Sequence, residues 1–487
     1  MTEELHQQVE ELIFSHFPHS PTDGQREACS LLVDFLYDPD PHAAFMLKGY
    51  AGTGKTTLVS ALIRSARMLQ IKTVLLAPTG RAAKVLSNYS GRKAYTIHKK
   101  IYTTVFDITG APHMERAINK HSYTLFIVDE ASMIGQDASE GSWSNRHDLL
   151  CDLIDYVTSG DHCRIMFIGD TAQLPPVGTP ESPALNPEYL ETISDLKMFC
   201  TEMDEVVRQQ QVSGILHNAT RIREQIATMD DYDEVELPLF NLDGFSDISI
   251  LKGSELEEVL NQEYHGDHSD EDNIENIAII TRSNKRANLF NQGIRNRVLY
   301  REEMINAGDY LMVVKNNYFW LEADSEIGFI ANGDIVEVMS VRKHQELYGF
   351  NFVEATLRFV DYPGAPTQDC KLLLETLYSE SPSLTYDESQ KLFSTVMEDY
   401  MDIPNRSERM REMKKNPYYN ALQVKFAYSL TCHKTQGGQW DTVIIDQGFL
   451  GETDELLNKE YLRWLYTAIT RATRKVYLLN FEERFFE

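Results

Sequence analysis

Seven short apolar runs rich in β-branched residues recur along this chain of 487 residues, and each one ends in polar residues. The runs occupy residues 43–49, 73–79, 124–130, 164–170, 277–283, 442–448 and 475–481. Runs that are apolar on both faces and alternate with helical segments are typical of buried parallel strands. Four runs lie before residue 171 and three after residue 276, so we predict two α/β domains. Because ligands bind at the carboxyl ends of such strands, we expect a site in a cleft between them.

Two segments interrupt the alternation of strands and helices. Residues 99–122 predict a β hairpin with a turn near Thr109 and Gly110. Residues 309–362 are rich in strand-forming residues, carry an Asn-Gly turn at 332–333 and predict a small β barrel. Residues 363–420 are charged, punctuated by proline and partly helical, and their pattern predicts no particular fold.

The composition is that of an ordinary globular protein, with 42% hydrophobic and 25% charged residues. The sequence has no apolar run long enough to span a membrane, and its acidic N-terminal segment lacks the pattern of a signal peptide. The six cysteines do not have the spacing of a disulfide framework, which predicts reduced thiols. Reduced thiols are typical of a cytoplasmic protein. We also expect a monomer in the bacterial cytoplasm or nucleoid, with no membrane partner.

The charge of the chain is unevenly distributed. A net charge of −28 argues against binding to nucleic acid, but residues 230–276 alone carry 16 acidic residues and one lysine. Residues 81–100 and 281–301 each carry six Lys or Arg residues and no acidic residue. Taken alone, each basic run is more often a solvated helix face than a binding surface. Locally basic surfaces are nevertheless compatible with this acidic protein.

Residues 49–56, GYAGTGKT, fit the phosphate-binding pattern GxxxxGK[ST] and follow a predicted strand. Backbone N–H groups of such a loop hold phosphate at a helix N-terminus, while the lysine reaches the β- and γ-phosphates and the last hydroxyl binds Mg²⁺. A glycine-rich turn before a helix would not need the lysine and the threonine. We therefore predict that ATP and Mg²⁺ bind here, with contacts from Gly49, Gly52, Thr53, Gly54, Lys55, Thr56 and Thr57.

Polar residues after the other runs complete a predicted ATP-hydrolysing site. Asp129 can hold Mg²⁺ through water, and Glu130 can orient and deprotonate the attacking water, although an acidic pair at a strand end can also be a cap. Gln173 can sense the γ-phosphate, or it can be a turn residue. Gln25, ahead of the first run, suits an amide that pairs with the adenine edge, a role that only its position supports.

Rapid hydrolysis also needs a cation opposite the γ-phosphate, which an arginine finger can supply. Three arginines in or near the second predicted domain are candidates, namely Arg208, Arg282 and Arg471. Any one of them could instead be an ordinary salt-bridge partner at the surface.

Taken in order, these motifs resemble those of superfamily 1 helicases, and most closely the RecD/Dda branch, whose members move 5′→3′ on DNA. The matching stretches include GYAGTGKT, LLAPTGRAAK, TIHKKIY, FIVDEASM, IGDTAQLPPVG, ITRSN, SLTCHKTQGGQWDTVII and YTAITRA. The resemblance implies two RecA-like domains, formed by residues 1–98 with 123–198 and by residues 199–308 with 422–487. It also implies a strand-splitting pin at 99–122 and an SH3-like insertion at 309–421 that includes the partly helical segment 363–420.

The resemblance further implies two sets of DNA contacts on the first domain and one on the loop 431–441, TCHKTQGGQWD. A zinc site at Cys432 and His433 is not expected, because adjacent side chains of a strand point to opposite faces. Gln436 and Gly437 of this loop would reach toward the nucleotide. The expected DNA contacts are Thr79, Gly80, Arg81, Thr96, His98, Thr431, His433, Lys434 and Thr435, with Lys315 and Asn317 as weaker candidates.

Phe106, near the hairpin tip, could stack on the last base pair, or it could simply pack within the hairpin. The function implied is an ATP-dependent helicase that moves 5′→3′ on single-stranded DNA and unwinds partially duplex DNA. Two alternatives stay open: an RNA or RNA–DNA helicase of the same superfamily, and a nucleotide-dependent clamp that does not unwind. Segment 363–420 could bind a partner protein or cover the DNA channel.

Overall fold

The computed structural model describes residues 2–106, 112–135, 148–205, 213–229, 236–265, 273–322, 325, 327–448, 450 and 457–487. Two parallel α/β sheets, a two-stranded hairpin, a closed β barrel and a small helical lobe make up this part of the chain. Within it, no helix combines the length and the apolar character that crossing a bilayer requires.

The first sheet has six parallel strands in the order β3-β2-β6-β7-β1-β8. Its strands are β1 (Ala43–Gly49), β2 (Lys72–Ala77), β3 (Ala94–Thr96), β6 (Thr124–Val128), β7 (Arg164–Gly169) and β8 (Lys197–Met203). Both faces are covered: Phe45 packs on one side, and Phe126 and Phe167 pack on the other. This two-sided burial is the physical reason for the uninterrupted apolar runs.

Seven helices accompany this sheet in the described residues, and polar N-caps fix the start of several of them. They are α1 (Glu3–Phe14), α2 (Asp23–Tyr37), α3 (Lys55–Ala66), α4 (Gly80–Ser90), α5 (Ile97–Ile101), α6 (Leu149–Thr158) and α7 (Pro187–Ile193). A hairpin of β4 (Tyr102–Phe106) and β5 (Pro112–Arg116) follows α5, and Phe106 pairs with Pro112 at its far end. The predicted turn at Thr109 and Gly110 lies outside the described residues, as does the side chain of Phe106.

The second sheet has five parallel strands in the order β16-β10-β17-β18-β9. Its strands are β9 (Ile248–Leu251), β10 (Ile277–Thr281), β16 (Ser429–Thr431), β17 (Trp440–Asp446) and β18 (Ala472–Leu479). Its helices are α8 (Gly214–Thr228), α9 (Leu256–His265), α10 (Asn284–Gly293), α14 (Cys432–Thr435) and α15 (Lys459–Ile469), and a π-helical turn at Ile294–Val298 follows α10. The two parallel sheets confirm the predicted α/β fold class.

A closed barrel of five strands joins the second sheet. Its strands are β11 (Tyr310–Val313), β12 (Ile335–Leu347), β13 (Phe350–Phe359), β14 (Gln368–Leu373) and β15 (Leu422–Phe426). The barrel therefore extends past residue 362, and its last strand comes from a segment that the sequence assigns to the second α/β domain. Arg295 and Arg301 both form ion pairs with the buried carboxylate of Asp309 at the start of the barrel, at 3.0 and 2.7 Å. These buried, hydrogen-bonded pairs fix the barrel against the helices of the second sheet.

The segment between β14 and β15 forms a helical lobe on the barrel. Its helices are α11 (Glu375–Tyr378), α12 (Tyr386–Glu398) and α13 (Arg406–Lys414). Leu392, Val396 and Met413 of this lobe pack on Phe350 and Phe352 of β13 in a small core of their own. Short 3₁₀ turns occur at Ala131–Met133, Pro183–Leu185, Asn273–Asn276 and Glu483–Phe485.

Candidate functional site

The loop between β1 and α3 has the geometry of a phosphate cradle. Gly52 and Gly54 have φ angles of 78° and 88°, a left-handed region in which glycine is least strained. The Lys55 ammonium donates to the carbonyl oxygens of Gly49 and Tyr50 at 2.7 and 2.8 Å. The lysine therefore folds back over its own loop, at the N-terminus of a twelve-residue helix that favours bound anions.

Gln25 supports this loop from behind rather than facing the cavity. Its Oε1 accepts from the Thr22 N–H at 3.0 Å, and its Nε2 donates to the Thr53 carbonyl at 3.2 Å. The amide thus completes the capping box of α2 and holds the loop at the same time. Thr53 is fully buried, and its hydroxyl donates to the Tyr50 carbonyl at 2.9 Å.

Asp129 and Glu130 follow β6 at the carboxyl edge of the first sheet. One Asp129 oxygen accepts from the Tyr89 hydroxyl at 2.7 Å, and the other accepts from the Glu130 N–H at 2.9 Å. Glu130 has a φ of 52°, an uncommon conformation for a residue other than glycine that is concentrated at functional sites. Burial raises the pKa of both carboxyl groups, while the Tyr89 hydrogen bond opposes this rise at Asp129 and nearby Arg471 opposes it at Glu130.

Arg471 reaches this acidic pair from the second sheet. Its guanidinium lies 3.9 Å from a Glu130 carboxylate oxygen and is almost fully buried. It also donates to the carbonyl oxygens of Thr467 and Gly438 at 3.1 and 3.4 Å. Gln173 lines the same region, and its buried Oε1 has no hydrogen-bond partner among the described residues. An orphaned acceptor of this kind is expected where a ligand or water completes the bonding.

These residues line one cavity of about 800 Å³ between the two sheets, here called the nucleotide cavity. Its volume falls in the range of small-molecule sites. Residues predicted for ATP chemistry that line it are Gly52, Gly54, Lys55, Thr56, Asp129, Glu130, Gln173 and Arg471. Gly49 lies behind the loop, where an added Cβ would come within 2.9 Å of the Met203 carbonyl, and Thr57 follows within α3.

The donor set in the nucleotide cavity suits Mg²⁺. The Thr56 hydroxyl and the Asp129 carboxylate are hard oxygen ligands, and both residues line this cavity. The described residues contain no group of three or more His, Cys, Asp or Glu side chains that could hold a metal ion. Mg²⁺ fits such a sparse site because it keeps several waters and binds through substrate phosphates.

Tyr466 is a residue of this site that the sequence reasoning missed. Its hydroxyl donates to Asp170 at 2.6 Å and accepts from the Ala51 N–H of the phosphate loop at 2.8 Å. It belongs to α15, five residues before Arg471, and is buried. The YTAITRA match contains it, but only the arginine of that stretch carried an obvious charge.

A second cavity of about 710 Å³, here called the trough, lies between the first sheet, the second sheet and the barrel. It brings together residues that are far apart in sequence and that the resemblance assigned to DNA: Thr79, Arg81, Thr431, His433 and Lys434. Burial lowers the pKa of both His433 and Lys434. Gln436 also lines the trough, and its amide donates to the Leu174 carbonyl at 2.6 Å.

The loop 431–441 lies directly on the start of α4. The Arg81 guanidinium sits 3.9 Å from the centre of the Trp440 ring and donates to the Gln439 carbonyl at 3.2 Å. A Cβ on Gly437, which has a φ of 72°, would come within 2.7 Å of Ala82. Trp440 and Arg81 line both cavities, so this loop is shared between them.

Arg282 lies at the trough and not at the nucleotide cavity, contrary to its predicted position. Thr281 at the end of β10 pairs with Thr431, so the residue that follows emerges beside the loop 431–441. The guanidinium is held 5.3 and 5.8 Å from the ring centres of Tyr461 and Trp464. Arg208, another predicted finger, lies outside the described residues.

Several expected DNA contacts lie outside the lining of both cavities. Thr96 and Thr435 are buried, and their hydroxyls bond to the backbone at Lys99 and Cys432. Gly80 packs on Asp334. His98 has ring neighbours in Tyr102 and Phe329. Lys315 and Asn317 line a separate cavity of about 260 Å³ between the barrel and the helical lobe.

Two protein-family models match the chain. An AAA domain matches residues 22–236, and a UvrD-like helicase C-terminal domain matches residues 426–479. The first match spans the phosphate loop and the acidic pair, and the second spans the loop 431–441 and Arg471.

Curated relatives and solved structures are also similar to the chain. It is 37% identical to the ATP-dependent RecD2 DNA helicase of Deinococcus radiodurans over 160 residues, which are 33% of this chain and only 19% of that protein. It is 25% identical to the ATP-dependent DNA helicase dda of Enterobacteria phage T4 over 485 residues, covering 94% of this chain and 98% of that one. A crystal structure of a Pif1 helicase from Bacteroides with ADP-AlF3 and ssDNA aligns with a TM-score of 0.45 and 15% identity, covering 95% of this chain and 93% of that one.

Proposed function

We propose that this chain, a member of superfamily 1B of the helicases, is an ATP-dependent DNA helicase that moves 5′→3′ along single-stranded DNA and unwinds duplex DNA. Its substrates are ATP and DNA with a single-stranded region, and its cofactor is Mg²⁺. The activity of an ATP-dependent DNA helicase is what the names of the RecD2 and dda relatives say of those proteins. The 5′→3′ direction rests on the resemblance of the motifs to the RecD/Dda branch.

One observation carries the proposal: the loop 431–441 borders both cavities. Thr431, His433 and Lys434 line the trough, whereas Gln439 and Trp440 line the nucleotide cavity. A segment in this position responds to closure around ATP and touches whatever occupies the trough. A motor that converts hydrolysis into movement needs such a shared element, while a simple nucleotide-binding protein does not.

In the nucleotide cavity, each protein group has a role in hydrolysis. Lys55 turns from its loop carbonyls to the terminal phosphates, and Glu130 orients the attacking water and takes its proton. Arg471 stabilises the charge that develops on the transferred phosphoryl group. When bound at Thr56 and Asp129, Mg²⁺ neutralises phosphate charge.

In the trough, contacts to DNA run mainly to phosphates, so binding is tolerant of sequence and weakens with salt. Opening and closing of the cleft changes the distance between the DNA contacts on the first sheet and those on the second. The DNA strand advances because these two sets of contacts hold and release it in turn. Breaking one stacked base-pair step costs about 1.4 kcal/mol on average. The β4-β5 hairpin acts as the pin that prevents separated strands from pairing again.

ATPase assays with oligo(dT) and oligo(U) of equal length test the proposed substrate. We expect strong stimulation by oligo(dT), loss of all turnover in Lys55→Ala, and loss of stimulated turnover in Arg471→Ala. Preferential stimulation by oligo(U) would favour an RNA helicase. Nucleotide and DNA binding without any stimulated turnover would favour a clamp.

A further inference from the structure

Helix α4 begins at the trough and ends at the nucleotide cavity. Thr79 caps its first turn and lines the trough together with Arg81. Near its end, Tyr89 lines the nucleotide cavity beside Asp129. In between, the Lys84 ammonium donates to the Val360 carbonyl of the barrel at 3.0 Å. A single helix of eleven residues thus joins the trough, the barrel and the nucleotide cavity.

Tyr89 forms hydrogen bonds both with the acidic pair and with α3, the helix that follows the phosphate loop. Its hydroxyl donates to Asp129 Oδ2 at 2.7 Å, and its backbone carbonyl accepts from the Ser60 hydroxyl of α3 at 3.1 Å. Asp129 Oδ1 is held separately by the Glu130 N–H at 2.9 Å. With one donor on each oxygen, the carboxylate is fixed in one rotation about its Cβ–Cγ bond.

We propose that Tyr89 is a positioning residue that orients Asp129 for Mg²⁺ and links this carboxylate, through α4, to occupancy of the trough. The first half of the proposal depends only on the ATP site, and the second half rests on the proposed DNA function. Partners that orient a metal ligand typically change metal affinity or activity by 10- to 100-fold when they are removed.

The link through α4 has a simple physical basis. Backbone hydrogen bonds make the helix stiff, and at about 1.5 Å per residue the distance from Gly80 to Tyr89 is roughly 14 Å. Arg81 at one end is bound to Trp440 and Gln439 of the second sheet, so a ligand that changes this contact shifts the start of α4. The same shift reaches the Tyr89 hydroxyl at the other end.

Mg²⁺ titration of fluorescent ADP binding tests the first half without any turnover. Tyr89→Phe removes one hydroxyl, and we expect it to raise the Mg²⁺ concentration for half-maximal binding about tenfold. Tyr348→Phe is the matched control: Tyr348 also donates to an aspartate, Asp399, but on the barrel and its helical lobe, and lines neither cavity. An unchanged or lower Mg²⁺ requirement in Tyr89→Phe would overturn the positioning role.

A double-mutant cycle separates positioning from a general loss of structure. If Tyr89 acts through Asp129, then at the Mg²⁺ concentration that gives half-maximal binding in the wild type, Tyr89→Phe should weaken ADP binding severalfold on its own but less than twofold in an Asp129→Asn background. Equal effects in both backgrounds would show that the hydroxyl acts elsewhere and would contradict the proposal.

The second half is tested by the ratio of ATPase rates with and without oligo(dT), measured at saturating Mg²⁺. We expect this ratio to fall at least threefold in Tyr89→Phe and to stay at the wild-type value in Tyr348→Phe. A shifted Mg²⁺ requirement with an unchanged ratio would overturn the link through α4. If the wild-type protein itself shows no stimulation, the proposed DNA function fails, while the Mg²⁺ titration still decides the role of Tyr89.

Discussion

The hydroxyl of Tyr466 donates a 2.6 Å hydrogen bond to Asp170, which joins helix α15 beside the second sheet to the loop after β7 of the first. The same oxygen accepts the Ala51 N–H of the phosphate loop at 2.8 Å. One buried hydroxyl therefore connects two loops of the first sheet to a helix of the second. Separating the two sheets must break both bonds.

Tyr466→Phe should weaken closure of the nucleotide cavity. A hydrogen-bonding group left without its partner costs about 1–3 kcal/mol, which corresponds to roughly a 5- to 150-fold smaller closed population. We expect kcat for ATP with saturating oligo(dT) to fall at least fivefold, measured by steady-state phosphate release. Tyr477→Phe, which removes a hydroxyl from β18 within the second sheet, is the control and should keep the wild-type kcat. An equal kcat in both variants would contradict the role of Tyr466.

Arg471→Ala should abolish most DNA-stimulated turnover. The guanidinium lies 3.9 Å from a Glu130 carboxylate oxygen. Among the described residues, Arg471 is the arginine that the second sheet contributes to the lining of the nucleotide cavity. Removing an arginine finger costs about 10³–10⁵ in rate, while nucleotide affinity should change far less. Arg474→Ala is the control, since Arg474 lies three residues further along the chain, in β18, and pairs with Glu263 at 3.0 Å. Retention of more than a tenth of the wild-type kcat in Arg471→Ala would exclude the finger.

Gly437→Ala should separate the loop 431–441 from helix α4 and so weaken DNA binding in the trough. The backbone there has a φ of 72°, and an added Cβ would lie 2.7 Å from the Cβ of Ala82 and 3.2 Å from the Thr79 hydroxyl. The loop 431–441 must therefore move away from α4. We expect at least tenfold weaker binding of labelled oligo(dT) by fluorescence anisotropy. Gly364→Ala, at a position with open space around it, should bind like the wild type.

Asp334 should make the stability of the protein depend on pH in an unusual direction. Burial raises the pKa of its carboxyl to about 8, against an ordinary value of 3.8. Between about pH 4 and pH 8 the unfolded chain loses this proton while the folded protein keeps it, so the free energy of unfolding falls as pH rises. Asp334→Asn removes the titration and can retain the acceptor for the Ala331 N–H.

Denaturant unfolding of Asp334→Asn and wild type at pH 5 and at pH 8 measures this effect. The variant should gain up to a few kcal/mol relative to the wild type over that interval. The same difference in unfolding free energy at both pH values would show that the carboxyl is not held protonated in the folded protein.

Much of the fold follows from the sequence because parallel strands covered on both faces need continuous apolar runs. All seven predicted runs coincide with strands of the two sheets. β3 has only three residues, and β8, KMFCTEM, lies at the edge of its sheet with mixed polarity, so neither carries such a pattern. The barrel is closed by Leu422–Phe426, whose pairing across a helical lobe is a non-local contact that periodicity cannot reveal.

The chemistry of the phosphate loop could be predicted because its residues are consecutive and each has one chemical role. The roles of Tyr89 and Tyr466 could not be predicted, because the aspartates that accept from their hydroxyls lie 40 and 296 positions away in the sequence. In addition, a tyrosine on a helix usually indicates part of an apolar face. The position of Arg282 depends on two aromatic rings contributed by α15, a packing detail that no spacing encodes.

We propose that ATP hydrolysis between the two sheets drives 5′→3′ movement on DNA. Strand displacement on two partial duplexes, one with a 5′ single-stranded tail and one with a 3′ tail, tests both the activity and its direction, with Lys55→Ala as the inactive control. We predict that the wild type unwinds only the 5′-tailed duplex and that Lys55→Ala unwinds neither. Unwinding from the 3′ tail alone, or unwinding of neither substrate while DNA-stimulated ATPase persists, would contradict the claim.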